Sequence, residues 1–122
     1  MGSKNKLKRF QENDTLPNVI QPTRDSLVKG SFAHTGHWKE YFGNDNSIIV
    51  ELGCGKGEYT VALARQNPDC NYIGIDIKGA RFWRGAKTAY EEQLSNVAFI
   101  RTQIELIEQV FANDEVSEIW LT

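Results

Sequence analysis

The segment Ile48-Ile-Val-Glu-Leu-Gly-Cys-Gly-Lys-Gly-Glu-Tyr-Thr60 constrains the fold of this chain more than any other. An apolar run carries the acid Glu51 near its end and breaks into glycines at 53, 55 and 57 before a helix-forming stretch begins. A strand followed by a glycine-rich turn and a helix lets backbone N–H groups approach a ligand closely, because glycine has no Cβ and tolerates positive φ. The pattern predicts a nucleotide-type cofactor site.

The glycine spacing narrows the ligand. A dinucleotide fingerprint needs G-x-G-x-x-G, with the third glycine packing helix on strand around a pyrophosphate. Here the third glycine comes one residue early, and position 58 holds Glu58. A carboxylate at the mouth of a helix N-terminus competes with a pyrophosphate for the same donors. A ligand carrying an ammonium and a sulfonium is favoured instead, with Glu51 as the fixed negative charge that meets it. S-adenosylmethionine has both groups. A second short apolar strand, Asn71-Tyr-Ile-Gly-Ile-Asp76, ends in a carboxylate 25 residues after Glu51. One turn and one helix fit between the two acids, which makes a βαβ unit with Asp76 placed for a ribose diol. An acid there is equally expected in dinucleotide folds, so Asp76 supports adenosine in general and the glycines choose the cofactor.

With 122 residues, 40% of them hydrophobic, the chain is long enough for one domain with a core. A net charge of −2 offers no global argument for nucleic acid, yet the first ten residues hold Lys4, Lys6, Lys8 and Arg9 without an acid. Such an arm is either solvated and partly disordered or a phosphate contact. Pro17 and Pro22 lead us to expect residues 1–30 to be extended. No apolar run reaches the length of a membrane span, and the N-terminus lacks a signal-peptide core, so a cytosolic protein is expected. Cys54 and Cys70 lack C-x-x-C spacing, which fits a reducing compartment. Cys54 has no histidine near it in sequence to make it a nucleophile. His34 and His37 have no further His/Cys cluster to complete a metal site, so they read as loop or core residues.

From residue 47 onward the pattern alternates regularly. Strands are expected at 47–52, 71–76, 97–102 and 118–122, with helices at 58–66, 79–93 and 104–111. Residues 1–46 form a basic arm with a short helix around Trp38–Phe42. Phe82, Ala86, Ala89, Tyr90 and Gln93 recur at helical spacing and form an apolar face for the sheet. Arg81, Arg84 and Lys87 lie off that stripe, as a solvated face or a phosphate patch. The architecture implied is α/β, a parallel sheet with helices on both faces, whose ligand sits at the carboxyl ends of the strands. Glu51, the glycine loop, Asp76 and the Gln103–Ile104 pair all fall there. Gln103 either hydrogen-bonds an adenine edge, with Ile104 on its face, or caps the following helix.

Taken together, Val50-Glu-Leu-Gly-Cys-Gly-Lys-Gly57, Tyr72-Ile-Gly-Ile-Asp-Ile-Lys78, Ala80-Arg-Phe-Trp-Arg-Gly-Ala-Lys87 and Ser95-Asn-Val97 resemble the bacterial tRNA (guanine-N7-)-methyltransferase family. Lys8-Arg-Phe10 and Val19-Ile-Gln-Pro22 are similar to its N-terminal arm. The resemblance implies a Rossmann-like class I S-adenosylmethionine-dependent methyltransferase that modifies N7 of a guanine in the tRNA variable loop. It implies that Glu51, Gly53, Cys54, Gly55 and Gly57 hold the methionine end of the cofactor. Asp76 would take the ribose, with Ile77, Gln103 and Ile104 completing the adenosine site. Lys6, Lys8, Arg9, Arg81 and Arg84 would face tRNA. Gln103 departs from the acidic residue that many members have beside adenine. The family continues past its fourth strand with a Phe-Pro-Asp-Pro-type segment at the substrate site, so the catalytic residues are expected beyond Thr122. This chain is then expected to be the cofactor-binding portion, truncated after strand four and weak or inactive alone. A class I methyltransferase for another substrate and a non-catalytic fragment keeping the fold are the other two readings.

Overall fold

Short runs rich in Val, Ile and Tyr, apolar at nearly every position, suit strands covered on both faces. The computed structural model describes residues 2–121, with side chains from Lys6 onward, and assembles these runs into one sheet. Its strands are β1 (Val19–Ile20), β2 (Ile48–Leu52), β3 (Asn71–Asp76), β4 (Val97–Arg101) and β5 (Glu118–Leu121). They lie in the order β1-β4-β3-β2-β5, and every pair is parallel. The helices are α1 (Gly2–Asn13), α2 (Arg24–Val28), α3 (Trp38–Phe42), α4 (Glu58–Gln66), α5 (Gly79–Glu91) and α6 (Ile107–Val110), the last entered through a 3-10 turn at Ile104–Leu106.

Because strand side chains alternate faces, the sheet divides the core in two. Ile48, Val50, Ile73, Ile75 and Ile100 pack with Leu27, Trp38, Val110 and Phe111. On the other face Tyr72, Val97 and Phe99 pack with Val61, Ala64, Phe82, Ala86 and Ala89 of α4 and α5. Helices therefore cover both faces, as the alternation of elements requires. The register Leu52↔Ile75 and Asp76↔Arg101 brings the carboxyl ends of β2, β3 and β4 level.

The expectation of an extended arm over residues 1–30 is corrected. Residues 2–13 form α1, which packs along α5, and β1 adds a fifth strand beside β4. Two asparagines hold this segment down. Asn13 Nδ2 donates to the Gly79 carbonyl and Asn18 Nδ2 to that of Ala86, each at 3.0 Å, while the Phe99 amide donates to Asn18 O at 2.8 Å. Pro17 and Pro22 bracket a strand instead of extending an arm. The Lys4 side chain and Thr122 lie outside the described residues.

One helix end also differs. Helix α5 stops at Glu91, because Gln93 takes φ 60° and the Leu94 amide reaches back to Ala89 O, closing a Schellman-type cap. Gln93 is thus off the apolar face, and Tyr90 is mostly exposed, whereas Phe82, Ala86 and Ala89 are fully buried. At the far edge, β5 leaves Ile119, Trp120 and Leu121 exposed. No helix among the described residues is long and apolar enough to cross a membrane.

Candidate cofactor site

The two acids singled out by the sequence are buried side by side. Glu51 is 6% exposed and turns toward α4, where Thr60 Oγ1 donates a short hydrogen bond to its Oε1. Asp76, 7% exposed, ends the adjacent strand. Its Oδ2 accepts from the Gly55 amide at 3.0 Å and its Oδ1 from the Lys78 amide at 2.9 Å. One carboxylate thus ties the glycine loop to the turn after β3. Each oxygen keeps a second lone pair with which to accept a ligand hydroxyl.

Glycine is required in the loop for two separate reasons. Gly53, Gly55 and Gly57 have φ of 72°, 57° and 77°, the left-handed region that side chains avoid. A Cβ on Gly57 would also lie 2.7 Å from the Phe99 ring. Helix α5 seats directly on the loop, with the Gly85 amide donating to Lys56 O at 3.0 Å. Four of the five loop amides are spent internally. Gly53 and Cys54 share the Ile75 carbonyl at 2.8 and 3.1 Å, Gly55 donates to Asp76, and Gly57 donates to Cys54 O at 3.0 Å. A pyrophosphate cradle needs such amides free, so this loop does not suit one. Two buried carboxylates, Glu51 and Asp76, fit the cationic, diol-bearing S-adenosylmethionine better. Burial, followed by the charges of Asp76 and Glu51, pushes the Cys54 thiol far above its usual range. It stays protonated, which rules out a thiolate nucleophile.

Beside the carboxyl ends of β3 and β4 lies a shallow cavity of about 190 Å³ lined by Pro22, Arg24, Ile77, Arg101, Thr102, Gln103 and Leu106. Gln103 stands at the N-cap of the following turn, but its side chain makes no cap hydrogen bond there; its Oε1 accepts from Arg24 Nη1 at 2.9 Å. Ile77 is 47% exposed in the lining, while the exposed Ile104 stands outside it. Arg24 and Pro22 escaped the sequence reading, since nothing local marks an arginine that meets a glutamine 79 residues away.

The basic residues separate into two groups. Arg9, Lys87 and Arg84 gather over the Trp83 ring at 4.8, 5.1 and 5.4 Å from its centroid. Glu12 completes this cluster, accepting from Trp83 Nε1 at 2.7 Å and pairing with Lys87 Nζ at 3.0 Å. Those two contacts, Lys87 first, hold its carboxyl below the usual range. Lys6 and Lys8 are exposed on α1. Arg81 lies apart, its guanidinium over Gly55. His34 packs among the rings of Phe32, Trp38 and Tyr41, and burial lowers its pKa; His37 Nδ1 meets Glu40 at 3.0 Å. Among the described residues no three His, Cys, Asp or Glu side chains converge as a metal cluster.

A parallel sheet with helices on both faces and a glycine loop between two strand-end acids defines the Rossmann-like class to which class I methyltransferases belong. The solved structure of the bifunctional kinase-methyltransferase WbdD shares the fold, with a TM-score of 0.54 at 16% identity over 93% of this chain and 27% of that one. A family model described as a putative methyltransferase matches residues 45–122, and the chain belongs to that family. Its curated relatives carry a narrower name. The chain is 71% identical, over its whole length, to a tRNA (guanine-N(7)-)-methyltransferase of Christiangramia forsetii, of which it covers 55%. It is 51% identical to the protein of that name from Bacteroides fragilis, over 98% of this chain and 48% of the relative. The chain thus spans about half the length of the curated relatives it matches.

Proposed function

We propose that this chain is the cofactor-binding portion of a tRNA (guanine-N7-)-methyltransferase acting in the cytoplasm. The observation that carries the reading is the pair of buried carboxylates, Glu51 and Asp76, at the ends of adjacent parallel strands with the Gly55 amide tied to one of them. Glu51 meets the ammonium of S-adenosylmethionine, and the turn Gly53–Gly57 with Cys54 shapes the methionine end. Asp76 takes the ribose hydroxyls, Ile77 flanks the adenine, and Gln103 and Ile104 bound it. Residues 47–122 supply this site, and residues 1–46 brace it and carry Lys6, Lys8 and Arg9 which, with Arg84, face the tRNA phosphates. The names of the relatives support guanine N7 of a tRNA as the acceptor, and we place that guanine in the variable loop.

Bound there, S-adenosylmethionine supplies an electrophilic methyl group. Guanine N7 carries a lone pair and no proton, so no side chain need act as a base in the attack, and alignment of the reactants does most of the catalytic work. The residues of this chain accordingly bind and orient, and the groups that align the guanine lie outside the cofactor site. Calorimetric titration of the wild type with S-adenosylmethionine and with NAD, repeated on Asp76→Ala, tests the reading. S-adenosylmethionine alone should bind, at least tenfold more weakly to the variant. Binding of NAD, or of neither, would refute it.

A further inference from the structure

Arg81 was expected among the RNA-facing cations, but it sits against the cofactor loop. Its Nη2 and Cζ lie 3.1 and 3.8 Å from the point that a Gly55 Cβ would occupy, and no other group comes within 4 Å of that point. None of the ion pairs among the described residues involves it, although Lys29, Arg65 and Lys87 are each paired with a carboxylate. The charges of Asp76, Glu51 and Arg81 all act on the Cys54 thiol, so one cation and two anions converge on this turn.

The amino-acid end of a ligand is a zwitterion. Its ammonium needs an anion, which Glu51 provides, and its carboxylate needs a donor. Loops of this shape ordinarily offer backbone amides, yet here Gly53, Cys54, Gly55 and Gly57 have already donated theirs within the fold. With four of the five loop amides committed, a side chain is well placed to take over that role. A guanidinium does so well, because its planar fork matches both oxygens of a carboxylate. A tRNA phosphate is a poorer partner at this point, since it would approach two buried carboxylates without an ammonium of its own.

Resting on the S-adenosylmethionine reading, we infer that Arg81 binds the α-carboxylate of the cofactor and so selects ligands that keep an intact amino-acid end. Calorimetry on the full chain compares S-adenosylmethionine, its decarboxylated analogue and 5′-methylthioadenosine, using wild type, Arg81→Gln and Arg81→Lys. Arg81→Gln should weaken S-adenosylmethionine about 10- to 100-fold, as loss of a charge-assisted pair does. It should leave the decarboxylated analogue as tight or tighter and methylthioadenosine unchanged. Arg81→Lys should fall between. An exposed side chain leaves the thermal midpoint of all three proteins alike. Unchanged S-adenosylmethionine affinity, or equal weakening of all three ligands, would overturn the Arg81 assignment while wild-type binding sensitive to Asp76→Ala keeps the cofactor reading. Wild type binding none of the three would overturn both.

Discussion

Gly85→Ala separates the effect of local helix propensity from that of tertiary contact. Gly85 sits in the middle of α5, where alanine is favoured over glycine by about 1 kcal/mol. Propensity alone therefore predicts a more stable protein. The structure predicts the reverse, because a Cβ at this position would lie 2.9 Å from Lys56 O and 3.0 Å from both Gly57 C and Cα. Those atoms are backbone and cannot swing aside as the tip of a long side chain does. Relieving the clash separates α5 from the glycine loop. Overpacking costs about 1–3 kcal/mol, and losing the Gly85 N–H to Lys56 O hydrogen bond adds about 1 kcal/mol. Against the propensity gain, the balance is about 1–3 kcal/mol of destabilisation. For a domain of this size that lowers Tm by roughly 4–12 °C. Thermal unfolding followed by circular dichroism reads the change, and titration with S-adenosylmethionine should show weaker binding in folded variant, because the displaced segment is the loop itself. A variant that melts at or above the wild-type temperature would refute the close seating of α5 on the loop.

Further consequences concern other parts of the molecule. The Glu115 carboxylate accepts from the amides of Gly36, Trp38 and Ala112 at 3.0, 3.1 and 2.9 Å, so Glu115→Ala should cost about 1–3 kcal/mol in urea unfolding; a neutral result would mean that water replaces those bonds freely. Because the Cys54 pKa is raised in the fold, its contribution to stability is complete below the ordinary thiol value of 9.0 and is lost as pH rises above it. Stability should therefore fall from about pH 9 upward, less steeply in Cys54→Ala, and a thiol reagent should label the partly exposed Cys70 well before Cys54. The edge strand β5 exposes Ile119, Trp120 and Leu121, at 52%, 44% and 79%, so the chain should associate as its concentration rises and Ile119→Lys should suppress this; light scattering that shows a concentration-independent monomer would contradict it.

The βαβ unit around the glycine loop was legible in the sequence because its determinants are local. Three glycines at φ 57° to 77°, two apolar strands and an acid at the end of each lie within Ile48–Asp76, and spacing alone places them in register. The preference against a dinucleotide was legible too, while the commitment of four of the five loop amides inside the fold belongs to the tertiary structure. The first thirty residues were misread because α1 and β1 owe their order to distant partners. Asn13 and Asn18 reach carbonyls 66 and 68 residues away, and a two-residue strand leaves no periodic trace. Arg24 on Gln103 and Arg81 over Gly55 belong to the same category. Periodicity and motif spacing record what a segment can form by itself, whereas the partner of a long polar side chain is chosen only when the sheet order brings distant segments together. The sequence determined the glycine loop; the tertiary structure decided which charges surround it.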